Sequence, residues 1–262
     1  MQRLLLIVLP LLFLSIGVSQ NRVNVNNLVK YGDKYFKEND DRPFNGIVFD
    51  MSKETGNKIL EYKMVDGLKN GLYKEWYPDG QPKSNGKFFN NDTTGKWTFY
   101  YENGEKKQEG NYINGEGDGL FTLWYESGQK KIEVFNKNGI EDGIYKLYYE
   151  NGKLREQISY KDGIQDGPFR VYYDNGQLLQ EGTFKDDKMN GLFNTYWKNG
   201  KLKEVGTFKN GKTNGPSKLF YENGQMRQEG TVKDDKWNGT LKIYYKEGQL
   251  GSIQTFIDGI KN

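Results

Sequence analysis

Apolar and polar positions alternate along most of the chain in short runs punctuated by glycine. Glu181 to Gly200, EGTFKDDKMNGLFNTYWKNG, shows the unit. Gly191 opens a run carrying Phe193, Tyr196 and Trp197, Asn199-Gly200 makes a tight turn, and Lys201 to Phe208 returns. The opening glycine recurs every 24 residues at Gly71, Gly95, Gly119, Gly143, Gly167, Gly191, Gly215 and Gly239. A second follows nine residues later each time, at Gly80, Gly104, Gly128, Gly152, Gly176, Gly200, Gly224 and Gly248. A fixed period of this length predicts a repeat architecture. Period-two alternation predicts strands, and Asn-Gly between two such runs predicts a two-residue hairpin. The expected fold is all-β: an elongated, single-layer antiparallel β-meander, solenoid-like, of tandem 24-residue β-hairpin repeats. Two strands per unit give about eighteen strands and, at roughly 4.8 Å each, a sheet about 85 Å long.

Counting outward from the turns sets a register. Tyr101 should face Lys106, Tyr100 Lys107, Phe99 Gln108 and Trp97 Gly110. Rings two residues after the opening glycine then meet a return-strand glycine: Tyr73 with Gly86, Trp97 with Gly110, Phe169 with Gly182, Phe193 with Gly206. A ring over a strand glycine fills the gap left by the missing side chain. The same face carries Tyr149 beside Leu154, Tyr173 beside Leu178, Trp197 beside Leu202 and Tyr221 beside Met226. The resulting stripe comprises Tyr73, Tyr77, Trp97, Tyr101, Phe121, Tyr125, Tyr145, Tyr149, Phe169, Tyr173, Phe193, Trp197, Tyr221 and Tyr245. It is either the core of a single-layer sheet or a partner-binding groove. On the opposite, polar face one further ring per unit should lie across from a cation in six of eight units: Trp76–Lys83, Tyr100–Lys107, Trp124–Lys131, Tyr148–Arg155, Tyr196–Lys203 and Phe220–Arg227, with Leu179 and Gly251 as the exceptions. Gly104, Gly128, Gly152, Gly176, Gly200 and Gly224 are read as structural turn glycines.

Composition narrows the function classes. The chain has 33 Gly, 15% aromatic residues, no Ala and a net charge of +3 with both signs interleaved. No basic stripe suits nucleic acid. The absence of His and Cys removes the commonest general base, thiolate chemistry and the usual metal ligands. Asp186-Asp187 and Asp234-Asp235 fall in the loops between hairpins, where they read as turn residues rather than acid–base pairs. Neither cofactor, metal nor catalytic residues are expected.

The N-terminus departs from the repeat. Arg3 precedes an apolar run, Leu4 to Phe13, followed by small residues at Ser15, Gly17 and Ser19. This is the layout of a secretory signal peptide over residues 1–19, which implies export to the periplasm, envelope or medium. Residues 20–44 read as an N-terminal cap, with Leu28, Tyr31, Tyr35 and Phe36 on one helical face except for the break at Gly32. The array then fills 45–262, one divergent unit and eight regular ones.

Gly206-Thr-Phe208 through Gly211-Lys212 to Gly215, and Gly182-Thr-Phe184 through Asn190-Gly191, resemble the MORN repeat. The Tyr-Tyr-x-Asn-Gly turn is similar to the bacterial variant in YwqK-type antitoxin proteins. Asp187 and Asp235 replace the loop glycine seen at Gly211, which should loosen those turns, and Asn136 stands where other units have Phe or Tyr. The resemblance implies a non-catalytic scaffold that binds a protein partner, antitoxin-like or immunity-like. Wall-glycan or membrane attachment, a purely structural spacer and a homodimer stay open.

Overall fold

The computed structural model describes residues 21–262, so the expected signal peptide lies outside the described residues. One sheet holds 25 strand segments. Five first strands are interrupted near their opening glycine, as Glu116–Gly117 then Gly119–Trp124. Joined across those breaks, they form the expected meander of eighteen, to which Arg22–Asn24 and Ile260–Lys261 are added. Consecutive strands pair antiparallel from Gly46–Met51 onward; Arg22–Asn24 alone pairs parallel, along Gly46–Met51.

The N-terminal segment is β rather than helical. Leu28–Tyr31 and Lys34–Lys37 form a hairpin, and Gly32 takes φ +62 at its turn. That glycine defeats the helical spacing of Leu28, Tyr31 and Tyr35. The hairpin is tied to the sheet by Tyr35 N–H to Gly67 O (2.9 Å) and Phe44 N–H to Tyr35 O (2.9 Å). Beneath it lies the best enclosed part of the molecule, Val23, Phe44, Val48, Tyr62 and Met64, with Val48 and Met64 wholly buried.

Two kinds of turn alternate, and their chemistry is exchanged relative to expectation. Within each unit Asn103-Gly104 and its equivalents do not form two-residue turns. Gly104 has φ +86 while Asn103 does not enter the left-handed region. Gly104 N–H donates to Tyr101 O at 3.0 Å, Tyr101 N–H donates to Glu105 O at 2.8 Å, and the register slips between Phe99 and Tyr100. This is a type I turn closed by a left-handed glycine, with a bulge. The two-residue type I′ turns join one unit to the next, where both central residues have positive φ: Asn210 (+52) and Gly211 (+82) between the paired Lys209 and Lys212, for example.

The opening glycines are not turn residues. Gly167, with φ +119, sits inside a strand where Ile158 faces Phe169 but Tyr160 faces Gln165, so three residues oppose one. A bulge of this kind bends the strand and increases its twist. Each unit therefore carries a bulge near both ends of its first strand.

Candidate interaction surface

Rows of side chains recur every 24 residues, and the bulges decide which face each row occupies. The inner row is Tyr73, Trp97, Phe121, Tyr145, Phe169 and Phe193. Its predicted pairing with Gly86, Gly110, Gly182 and Gly206 is seen for Tyr73, Trp97, Phe169 and Phe193. The ring that lies over each glycine is another matter. A Cβ on Gly86 would meet Trp97 at 2.2 Å, and one on Gly110 would meet Phe121 at 2.2 Å, so these rings lean back over the preceding unit. Phe169 does cover its own Gly182, whereas Gly206 has nothing within 4 Å. Trp97, Phe121 and Phe169 are 4%, 6% and 4% exposed and act as core. Neighbouring rings close around them: Phe88 and Tyr73 lie 5.0 and 5.4 Å from Trp97, and Tyr112 lies 5.2 Å from Phe121. Tyr73, Tyr145 and Phe193 are half-buried.

The second row of the predicted stripe lies along the rim of within-unit turns, and its polar ends are already engaged. Tyr77, Tyr101, Tyr125, Tyr149, Tyr173 and Tyr221 each donate a hydroxyl hydrogen bond to the backbone carbonyl 23 residues on, at 2.7 to 2.9 Å. Trp197 does the same through its indole N–H, to Phe220 O at 3.2 Å. Tyr245 makes no such bond among the described residues and is 58% exposed. The turn asparagines reinforce this stitching. Asn103 Oδ1 accepts from Glu105 N–H (2.9 Å), and its Nδ2 donates to Glu126 O in the next unit (2.9 Å). Asn151, Asn175, Asn199 and Asn223 repeat both bonds.

The hairpin bulge also corrects the cross-strand partners. Tyr100 faces Lys106, Trp124 Lys130, Tyr148 Leu154, Tyr196 Leu202, Phe220 Met226 and Trp76 Pro82. Tyr149, Tyr173, Trp197 and Tyr221 accordingly do not pair with the residues expected beside them. The cations move one ring along: Lys83, Lys107, Lys131, Arg155 and Lys203 lie over Tyr77, Tyr101, Tyr125, Tyr149 and Trp197 at 4.8 to 5.9 Å. Period-two counting cannot see an unpaired residue at the turn.

The opposite, outer face carries what the sequence reading undervalued. Trp76, Tyr100, Trp124, Tyr148, Tyr172, Tyr196, Phe220 and Tyr244 form a half-exposed row along it. Tyr148, Tyr196 and Tyr244 donate to Glu133 (2.6 Å), Glu181 (2.8 Å) and Glu229 (2.9 Å). Bonds from Lys130 and then Tyr148 hold Glu133 below the usual glutamate range, and Tyr196 and Tyr244 do the same for Glu181 and Glu229. Burial, then the Glu133 bond, pushes the Tyr148 hydroxyl up to about 12. Exposed apolar side chains interrupt this polar face: Leu72 (58%), Leu120 (56%), Phe135 (46%), Ile144 (49%) and Leu192 (68%). Leu120 faces Phe135 across the strand pair, and Ile144 lies in the same recess, of about 480 Å³. Their signal was present in the sequence as apolar residues on a strand's polar phase.

The loop aspartates stabilise their turns in a way not anticipated. Asp187 and Asp235, at φ +60 and +67, accept from Gln165 N–H (2.8 Å) and Thr213 N–H (2.7 Å) in the preceding unit. The left-handed strain is thus offset by a bond that glycine cannot make. Among the described residues no cluster of acidic side chains is arranged to hold a metal ion.

A meander of tandem hairpins, each paired with the next, defines a β-repeat protein built for surface rather than for a cleft. The MORN repeat variant matches residues 69–91, 93–114, 141–162, 165–186, 189–210 and 213–234, just over half of the chain. The protein belongs to this repeat family, a non-catalytic one whose repeats generally mediate binding to proteins or membranes. A comparison with curated proteins finds no match. The hairpin between the second and third matched segments departs at Asn136, yet the strands there keep the register.

Proposed function

We propose that the protein is an exported, non-catalytic scaffold that holds a protein partner on the outer face of its array. The observation that carries this is the Leu120–Phe135–Ile144 cluster, apolar side chains left about half exposed on a face that otherwise mixes charged side chains with half-exposed rings. Interfaces concentrate aromatic and apolar contacts inside a polar rim, and this face has both. Export is supported by the residues of the leader alone. An antitoxin-like or immunity-like role is the form of this reading implied by the resemblance to the bacterial variant.

The reading is tested by affinity capture with the full array, followed by mass spectrometry. Leu120→Glu/Ile144→Glu serves as the matched variant, because both side chains are solvent-facing and the fold should survive. The expected result is a defined protein retained by the native chain and lost by the variant; a toxin-like protein would favour the antitoxin-like form. Enrichment of no protein, or of the same set by both chains, overturns the reading.

A further inference from the structure

The outer face repeats a recess wherever a first strand, its return strand and the next first strand meet. Three of these are well formed, at Leu72–Lys96, Leu120–Lys146 and Pro216–Lys242, with volumes of about 490, 480 and 340 Å³. The backbone makes them equivalent, so their side chains set what each will hold. The second is apolar and acidic, with Glu133 and Asp142 against Lys146. The third mixes Lys218 and Lys242 with Glu229, which bonds Lys242 at 3.4 Å. The first is predominantly cationic: Lys74, Lys87 and Lys96 line it with Leu72, Trp76 and Asn85, and Glu75 is its one acidic residue.

The charge in that first recess is largely uncompensated. Lys74 and Lys87 make no ion pair among the described residues. Glu61, which faces Lys74 across the strands, is already held by Arg22 (2.8 Å) and Lys58 (2.9 Å). Lys96 alone is paired, with Glu109 at 2.8 Å. The carboxylate of Glu75, the acid of this lining, is already engaged by Lys83 at 2.7 Å and Ser84 at 3.0 Å. Beside these ammonium groups stand Leu72, 58% exposed, and the half-buried Trp76 indole. A volume of this size accommodates one or two side chains.

We infer that this recess is the anchor for an acidic peptide segment of the partner, a carboxylate side chain meeting Lys74 and Lys87 while an adjacent apolar or aromatic side chain packs on Leu72 and Trp76. The inference rests on the scaffold reading and names the chemistry of the segment held at one end of that face. Charge complementarity selects the segment, and the apolar floor gives it purchase once water is displaced.

Fluorescence anisotropy with a labelled peptide of alternating Glu and Phe tests it on the full chain, beside the same peptide with Lys for Glu. The acidic peptide should bind and weaken with salt, and the basic one should not bind. Lys74→Glu/Lys87→Glu should lower affinity at least tenfold, Lys74→Gln/Lys87→Gln by an intermediate factor, and the distant control Lys218→Glu/Lys233→Glu by less than twofold. Retained far-ultraviolet circular dichroism and unfolding midpoint show that each variant is folded, and the Gln pair keeps the test alive if the Glu pair is not. No binding by the folded native chain, or equal binding by the Lys74/Lys87 variants, overturns the proposal. If those variants still capture the partner that Leu120→Glu/Ile144→Glu loses, the scaffold reading stands and the anchor alone fails.

Discussion

A single glycine in this array is worth what its neighbour puts over it. Gly110 and Gly206 occupy equivalent return-strand positions, yet a Cβ would meet the Phe121 ring at 2.2 Å at the first and nothing within 4 Å at the second. Gly110→Ala should therefore lose about 1–3 kcal/mol through overpacking. Gly206→Ala should be neutral or gain about 0.4–1 kcal/mol by restricting the unfolded chain. Denaturant unfolding separates them, and equal losses would refute the packing account. The same contrast holds among rings and side chains. Trp97→Ala, at 4% exposure, should cost about 3–5 kcal/mol, whereas Leu192→Ala, at 68%, should stay within about 0.5 kcal/mol. Asn136 weakens its unit, since its Oδ1 is buried without a partner among the described residues. Burying an unpaired acceptor costs about 1–3 kcal/mol, so Asn136→Phe, restoring the ring found at Tyr160 and Phe184, should raise stability by a similar amount. An unfolding midpoint that did not rise would show that the site has no room for the ring.

The hairpin is held by what it donates to the next hairpin as much as by its own ladder. Tyr149→Phe removes only the bond to Tyr172 O, at 2.7 Å, and should cost about 1 kcal/mol, while Tyr245→Phe, exposed and without that bond, should cost nothing measurable. The outer-face carboxylates add a pH term. Glu133, Glu181 and Glu229 titrate below the ordinary glutamate value of 4.5 in the fold, because lysine and tyrosine donors favour the charged form. A depressed folded pKa adds stability that is complete above the unfolded value and is lost as pH falls through the folded one. Urea midpoints should accordingly be flat near neutrality and drop below pH 4.5, and Glu133→Gln should flatten part of that drop. At this scale the glycines and asparagines were legible as punctuation, but their division of labour was not. Asn-Gly satisfies both a type I′ turn and a type I turn closed by a left-handed glycine, and a one-residue difference in pairing decides between them. That difference moved Lys83, Lys107, Lys131, Arg155 and Lys203 from one ring to the next.

Across the whole molecule, nearest-neighbour bonding makes stability approximately additive over units. Removing residues 143–166 joins Asp142 to Gly167 with the 24-residue register intact. The shortened chain should fold, with unchanged circular dichroism per residue and a smaller denaturant m-value. Removing one residue fewer should send every later side chain to the wrong face and abolish cooperative unfolding. The N-terminal hairpin matters more than its length suggests, since Val48 and Met64 are wholly buried only beneath it. Residues 28–37 gave little sign of this, because four-residue strands are too short for alternation to tell them from a helix turn. What the amino-acid order determined by itself was the period, the all-β class, the sequential pairing and the pairing of rings with return-strand glycines, since these follow from local alternation and turn chemistry. The tertiary structure alone decided which ring covers which glycine, which rings of the aromatic stripe are core and which form a hydrogen-bonded rim, and which face stays open. Those outcomes depend on bulges, and a bulge leaves the composition of a strand unchanged while rotating all that follows it by one residue.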